Sequence, residues 1–214
     1  MADLKFYTNP QSRGQTVRWM LEEVGQPYDT EILDYASTMK AEPYLSVNPM
    51  GKVPAIVHKG KVVTEVAAIC CYLADAFPEA GLAPDPKNRA DYYRWIFFTS
   101  GPVEAAFSNK AAGWEPTPER QRMFGYGNYD LAINTLEKAL TGKTYVAGDR
   151  FSAADLFVGA NVNFMLQFNL LDPRPAFTDY AARMTDRDAY RRAKEIDGKL
   201  IAEAQARQPA ATPA

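Results

Sequence analysis

The sequence is poor in the side chains on which metal and hydrolytic chemistry most often rest. His58 is its one histidine. That excludes an H-E-x-x-H metal site and a Cys/His zinc constellation, each of which needs several ligands at fixed spacing. A G-x-S-x-G elbow is absent too, and no second histidine exists to serve a hydrolytic triad. Neither G-x-G-x-x-G nor G-x-x-x-x-G-K-[ST] occurs, so both phosphate-cradling glycine loops are missing. There are two cysteines, side by side at Cys70 and Cys71. Neighbours on a helix point to different sides and a bridge between them would be strained. Both are expected to be small core or interface side chains, in a reducing cytoplasm. No apolar run approaches the roughly 20 residues that span a bilayer. Met1-Ala2-Asp3-Leu4-Lys5 enters a strand pattern directly, without the apolar core of a signal peptide. No membrane partner is therefore expected. The formal charge of -2 gives no electrostatic case for nucleic acid, which favours a basic patch.

What the sequence does have is enough apolar material for a sizeable core: 47% of 214 residues are hydrophobic, the composition of a globular chain. The first eighty or so residues alternate strands and helices. Leu4 to Tyr7 reads as a strand. Val17, Met20, Leu21 and Val24 give a helical stripe ended by Gly25. Tyr28 to Leu33 is a second strand and Ala41 to Val47 a short helix or turn. Ala55 to His58 and Lys61 to Thr64 form a hairpin about Lys59-Gly60, and Val66, Ile69, Cys70, Leu73 and Phe77 make another helical stripe. The order is β-α-β-α-β-β-α, with the first two strands parallel and an antiparallel edge. The segment 79–86, rich in proline, reads as a linker. Beyond it, residues 87–204 read as all-helical, with Gly101-Pro102 kinking or interrupting the first helix. Tyr129, Ile133, Leu136 and Leu140 line a later one. Ser152 and Asp155 stand at the N-cap and N3 positions of a capping box, with Phe151 and Leu156 placed as a hydrophobic staple. The tail, 205–214, is expected to be disordered.

The most telling stretch is Asn48-Pro49-Met50-Gly51-Lys52-Val53-Pro54-Ala55-Ile56-Val57, followed by Thr64-Glu65-Val66. A proline just before a strand that pairs on one side is often cis. Such a turn leaves the Val53 N–H and C=O open to an extended, peptide-like ligand. This segment resembles the glutathione-binding half of the glutathione S-transferase family, in which Val-Pro holds the cysteinyl backbone of the tripeptide. The capping box resembles the one that family members carry at the core helix of their helical domain. The resemblance covers about residues 4 to 200. It implies a thioredoxin-like α/β domain over 1–78 and an all-α domain over 87–204.

Glutathione carries two carboxylates, an amine and a thiol. By the resemblance, its γ-glutamyl carboxylate meets the start of the helix after the hairpin, where backbone N–H groups and the macrodipole favour an anion. Those positions are Glu65 and Val66. Glu65 fits the family's acidic residue, which helps hold the ligand's ammonium. Val66 departs from the usual serine and lacks its hydroxyl. Losing one hydrogen bond to a charged group costs about 1.5–3 kcal/mol, roughly ten- to a hundredfold in affinity. Lys40 and Lys52, basic positions used in theta-like relatives, are expected at the glycyl carboxylate.

Family classes place the thiol-activating group at three offsets in the loop Phe6-Tyr7-Thr8-Asn9-Pro10-Gln11-Ser12-Arg13-Gly14. Tyr7 falls where mammalian-type classes have tyrosine, Asn9 where theta-like classes have serine, and Ser12 where the bacterial beta class has cysteine. Ser12 is the expected activator, with Tyr7 and Asn9 as alternatives. Because this loop has no cysteine, disulfide exchange and deglutathionylation by a protein thiol are not expected. An electrophile site is expected across the domain cleft, lined by Pro10, Tyr93, Phe97, Phe98 and Phe107. The resemblance thus implies a cytoplasmic, homodimeric transferase. It would use glutathione as co-substrate and no metal, acting on a small hydrophobic electrophile or a peroxide. It also admits a non-enzymatic binding or scaffolding protein of the same fold, like the stringent starvation proteins.

Overall fold

Short strands and amphipathic helices alternate in the first part of the chain, as expected. In the computed structural model, which describes residues 2–207, they are β1 (Leu4–Thr8), α1 (Gly14–Val24), β2 (Asp29–Ile32), β3 (Ala55–His58), β4 (Lys61–Thr64) and α2 (Val66–Ala76). The expected turn around Ala41 to Val47 is a pair of short 3-10 turns, Thr38–Lys40 and Tyr44–Ser46. The four strands make one sheet in the order β2-β1-β3-β4. β1 and β2 are parallel, and β3 runs antiparallel to both its neighbours. Lys59 and Gly60 turn the hairpin with φ of 49° and 76°, the left-handed pair whose twist matches that of the strands it joins. α1 buries Val17, Met20, Leu21 and Val24, and Gly25, at φ 72°, closes it by donating its N–H to Leu21.

His58 is buried on β3, with Nδ1 3.0 Å from the Tyr72 hydroxyl. Burial, the main cause, holds its pKa below the ordinary 6.5. The unfolded chain then protonates first, so stability falls as pH drops from about 6.5 through the folded pKa. With one histidine in the sequence, a series of melting temperatures from pH 7 to 5.5 will decline in the wild type and flatten in His58→Gln.

Two compact units emerge. The first joins the described residues up to Leu73 with those from Asp188 onward, because α8 (Asp188–Arg207) packs on α1. Arg18 of α1, 2% exposed, donates from Nε to Asp197 Oδ1 (3.1 Å), and its Nη1 reaches Tyr28 and Thr30. A buried guanidinium needs such a carboxylate, and α8 brings it. The stretch expected as one helical domain, 87–204, is therefore shared between the units. Residues 205–207 are the last turn of α8; the rest of the expected tail, 208–214, lies outside the described residues.

The second unit, Ala74–Arg187, is helical: α3 (Ala90–Phe98), α4 (Glu104–Ala112), α5 (Tyr129–Leu140), α6 (Ala153–Gln167) and α7 (Pro175–Thr185). Gly101-Pro102 does not break the first of these. Pro102 has no N–H for the carbonyl four residues back, so the chain widens into a π turn over Thr99–Val103 and runs on into α4. The 79–86 segment is fastened within this unit: Leu82 is buried and accepts from the Ala153 N–H, and Arg150 donates to the Ala83 carbonyl. α6 is apolar around most of its circumference and mostly buried, the mark of a central helix. Its capping box is formed by Ser152 and Asp155.

Candidate functional site

The register of the sheet assembles the candidate residues. Tyr7 of β1 lies opposite Ala55 at the start of β3, and Ala55 lies opposite Thr64 at the end of β4. β2 runs parallel to β1. The loop after β1, the Val53-Pro54 step before β3 and the β4–α2 junction at Glu65-Val66 therefore all sit at one end of the sheet.

The Val53-Pro54 peptide is cis. Val53 precedes the paired stretch of β3, and its side chain packs on a buried cluster of Tyr7, Leu33, Met39, Tyr44 and Ala55. The residue before it is braced from two sides, since the Lys52 carbonyl accepts from the Tyr44 hydroxyl and from Asn48 Nδ2 (2.8 Å). Burial raises the Tyr44 pKa, which keeps that hydroxyl a donor. Lys40 folds back and donates to the Gly51 carbonyl. An ammonium has three donors, so two remain for another acceptor. Lys52 itself is exposed. Glu65 is exposed at φ 69°, a conformation that costs a non-glycine residue about 1–2 kcal/mol. Its carbonyl accepts from Ile69, so it caps α2, and Val66 contributes one of the first-turn N–H groups that no helix satisfies internally.

The three candidates at the thiol end differ. Tyr7 is buried, its ring 5.4 Å from that of Tyr44, with the Lys5 ammonium 4.7 Å from its centroid. Both ends of the Asn9 amide are occupied: Nδ2 donates to Leu33 (2.9 Å) and Oδ1 accepts from Gln11 (3.0 Å). Ser12 is half-buried; its Oγ donates to the Asn9 carbonyl (2.6 Å) and accepts from the Gly14 N–H (2.9 Å). It closes the turn ahead of α1 rather than capping the helix directly, because the helix begins at Gly14.

The aromatic candidates separate by depth. Tyr93 and Phe97 are exposed on α3, their rings 6.4 Å apart. Phe98 meets Trp95 edge-on at 5.7 Å. Phe107 is buried within the helical unit, 6.2 Å from Phe164, so its ring serves packing there. Pro10 is buried in the loop after β1. Cys70 is buried, and burial pushes its thiol far above the ordinary range, which leaves it inert as a nucleophile. Among the described residues no cluster of three or more His, Cys, Asp or Glu side chains is arranged to hold a metal, and no helix is long and apolar enough to cross a membrane.

Sequence reasoning missed the supports of this end of the sheet. Gly51, at φ 56°, had a visible signal, since a glycine after Asn-Pro-Met marks a turn. Gln15, Tyr44 and Asn48 had none, because their partners are set by the folded chain.

The comparisons with known proteins point the same way. The model of the glutathione S-transferase N-terminal domain matches residues 12–76, and that of the C-terminal domain matches 128–188. Glutathione S-transferase GST-4.5 of Xanthomonas campestris pv. campestris is 28% identical over 162 residues, 72% of this chain and 79% of that one. A glutathione transferase of Methylococcus capsulatus str. Bath superposes with a TM-score of 0.74 at 28% identity, covering 92% of this chain and 99% of its own. A Sulfitobacter glutathione transferase homologue, solved with bound glutathione, gives a TM-score of 0.73 at 26% identity over 92% of this chain and 99% of its own. With a thioredoxin-like sheet, a helical unit and both domain models matched in order, this chain belongs to the glutathione S-transferase family.

Proposed function

We propose that this glutathione transferase activates the thiol of glutathione for attack on a hydrophobic electrophile or for peroxide reduction. One observation carries the reading: the Ser12 turn, the cis Val53-Pro54 step and the start of α2 converge at one end of the sheet. The cysteinyl backbone lies along Val53 as an extra strand. The γ-glutamyl carboxylate meets the Val66 N–H and the ammonium meets Glu65. The glycyl carboxylate takes the free donors of Lys40, with Lys52 near it.

At the sulfur, an ordinary thiol with a pKa of about 8.5 is only a few per cent ionised at neutral pH. A single hydrogen bond to the thiolate lowers that pKa by about one to two units. Ser12 is the donor we assign. Its hydroxyl proton rests on the Asn9 carbonyl in the free enzyme and swings to sulfur when glutathione binds, while the Gly14 N–H keeps hold of the oxygen. The Asn9 amide is anchored at both ends, by Nδ2 on the Leu33 carbonyl and Oδ1 on the Gln11 N–H, and Tyr7 is packed in the buried cluster with Tyr44. On the helical unit, the exposed rings of Tyr93 and Phe97, with Phe98 beside them on α3, are those we assign to the hydrophobic electrophile. The homodimer and the cytoplasmic setting typical of the family complete the reading.

Ser12→Ala will lower the conjugation rate with a simple aryl halide about tenfold or more, since it removes roughly 1.5–3 kcal/mol of thiolate stabilisation. It will also raise the thiol pKa read from the absorbance of bound glutathione. Unchanged activity in that variant would rule Ser12 out. Val66→Ser restores the missing hydroxyl at the start of α2 and is expected to tighten glutathione about tenfold, measured by calorimetry. An affinity equal to wild type would mean that the carboxylate does not sit there.

A further inference from the structure

We propose that Gln15 is a positioning residue for the thiol-activating loop, and that α8 reaches the reaction through it. The inference rests on the glutathione reading above and adds to it a part of the machinery outside the ligand's reach.

Gln15 stands on the first turn of α1. Its Nε2 donates to the Pro10 carbonyl at 2.7 Å, and its Oε1 accepts from Lys194 of α8 at 3.0 Å. The two partners fix the sense of the amide: turned over, its NH2 would face an ammonium and its oxygen a carbonyl. The proline makes the contact matter. Pro10 has no N–H, so its carbonyl is the backbone handle by which that residue can be held. The loop is thereby tied on two sides, toward β2 by Asn9 on the Leu33 carbonyl and toward α1 by Gln15 on Pro10. Ser12 hangs between these ties, with its N–H and its hydroxyl both on the Asn9 carbonyl.

α8 supplies the far end. Lys194 lies three residues before Asp197, whose carboxylate is locked on the buried Arg18, so the helical turn carrying Lys194 is fixed against α1. The seam continues where Arg192 meets Glu22 (3.2 Å) and Tyr190 meets Trp19 (5.0 Å between centroids). A group that orients the sulfur's partner acts on the chemical step and on the thiol pKa; a group that holds the ligand's carboxylates acts on affinity. Gln15 belongs to the first kind, since the ligand's charged ends fall to Lys40, Glu65 and Val66.

Gln15→Glu separates the two contacts. The carboxylate keeps Lys194 and suits the start of a helix, yet it meets the Pro10 carbonyl as an acceptor and repels it. Small misplacements of reacting groups reach a hundredfold in rate, and we expect kcat to fall about tenfold. The bound-thiol pKa, read from the pH profile of kcat and from thiolate absorbance, should rise by about one unit. The KM for glutathione should stay within about twofold, and the melting temperature should fall by no more than about 4 °C, the effect of a single lost hydrogen bond. Lys194→Met should act in the same direction more weakly, and Lys194→Arg should restore the wild-type values. A Gln15→Glu enzyme with wild-type kcat and thiol pKa overturns the proposal. So does one in which KM and melting temperature shift in step with kcat, which marks a merely structural role. Failure of the wild type itself to bind glutathione in calorimetry removes the underlying reading and this inference together, a result that no Gln15 variant can produce.

Discussion

Asp155→Ala will unfold the helical unit at temperatures where the wild type is intact. Asp155 is fully buried at the third position of α6 and accepts four hydrogen bonds. Oδ1 takes the Val146 N–H (2.7 Å) and the Tyr180 hydroxyl (2.8 Å); Oδ2 takes the Ser152 N–H (3.0 Å) and the Ser152 hydroxyl (2.9 Å). Burial is the largest influence on its carboxyl and raises the pKa, while the four donors pull it back. Burial also lifts the Tyr180 pKa, so that hydroxyl stays a donor. Alanine strands all four donors in the core. Each unmet buried group costs about 1–3 kcal/mol, but groups in one network do not add simply. The expected loss is about 3–5 kcal/mol, the size measured when one partner of a buried charged network is removed. For a chain of this length that lowers the melting temperature by roughly 10 °C. Asp155→Asn tests the geometry. An amide must turn its NH2 toward one of the two donor pairs whichever way it lies, so about half the loss is expected. Tyr180→Phe removes a single hydrogen bond and should cost about 1 kcal/mol. An alanine variant that melts with the wild type would mean that α6 does not depend on this carboxylate.

The second large effect is expected at Gly51. Its φ of 56° lies in the left-handed region, and a Cβ built there would stand 2.8 Å from the Met39 carbonyl oxygen and 3.1 Å from Lys40 Cδ. The first obstacle is backbone, so the loop has to move. That loop carries the Lys52 carbonyl and delivers Val53, and its turn is closed by the Gly51 N–H on the Asn48 carbonyl (2.8 Å). Gly51→Ala is expected to raise the KM for glutathione about tenfold or more, because displacing the Val53 backbone forfeits hydrogen bonds to the ligand, and about 1.4 kcal/mol is a factor of ten. Gly60→Ala is the control. Gly60 has a φ of 76° but nothing within 4 Å of its Cβ position. That change should cost about 1 kcal/mol of stability, the left-handed penalty alone, and leave the KM unaltered. Equal effects of the two on KM would show that the Asn48–Val53 loop takes no part in holding the ligand.

Both effects mark where the sequence could and could not be read. The hairpin was legible because Lys59-Gly60 carries turn chemistry between two β-rich runs, and the pairing of Ala55 with Thr64 follows once the turn is set. The Ser152–Asp155 capping box was legible because its members are three residues apart. The same carboxylate's bonds to Val146 and Tyr180 were not, since those partners reach it only through packing. The aromatic candidates show the limit of the resemblance. It put Tyr93, Phe97 and Phe98 of α3 and Phe107 of α4 forward together, whereas exposure divides them, with Phe97 on the surface and Phe107 in the core.

The sequence by itself determined the order of strands and helices, the cis-prone Val53-Pro54 step, the cap on α6 and the family resemblance. Each is written in neighbouring residues and obeys local backbone chemistry. The tertiary structure alone decided that α8 returns to the first unit, that the Ser12 hydroxyl proton rests on the Asn9 carbonyl, and that Gln15 joins Pro10 to Lys194. Such contacts depend on desolvating a charge or filling a polar group's remaining bond across many residues of chain. That selection is made only when the whole polypeptide has packed.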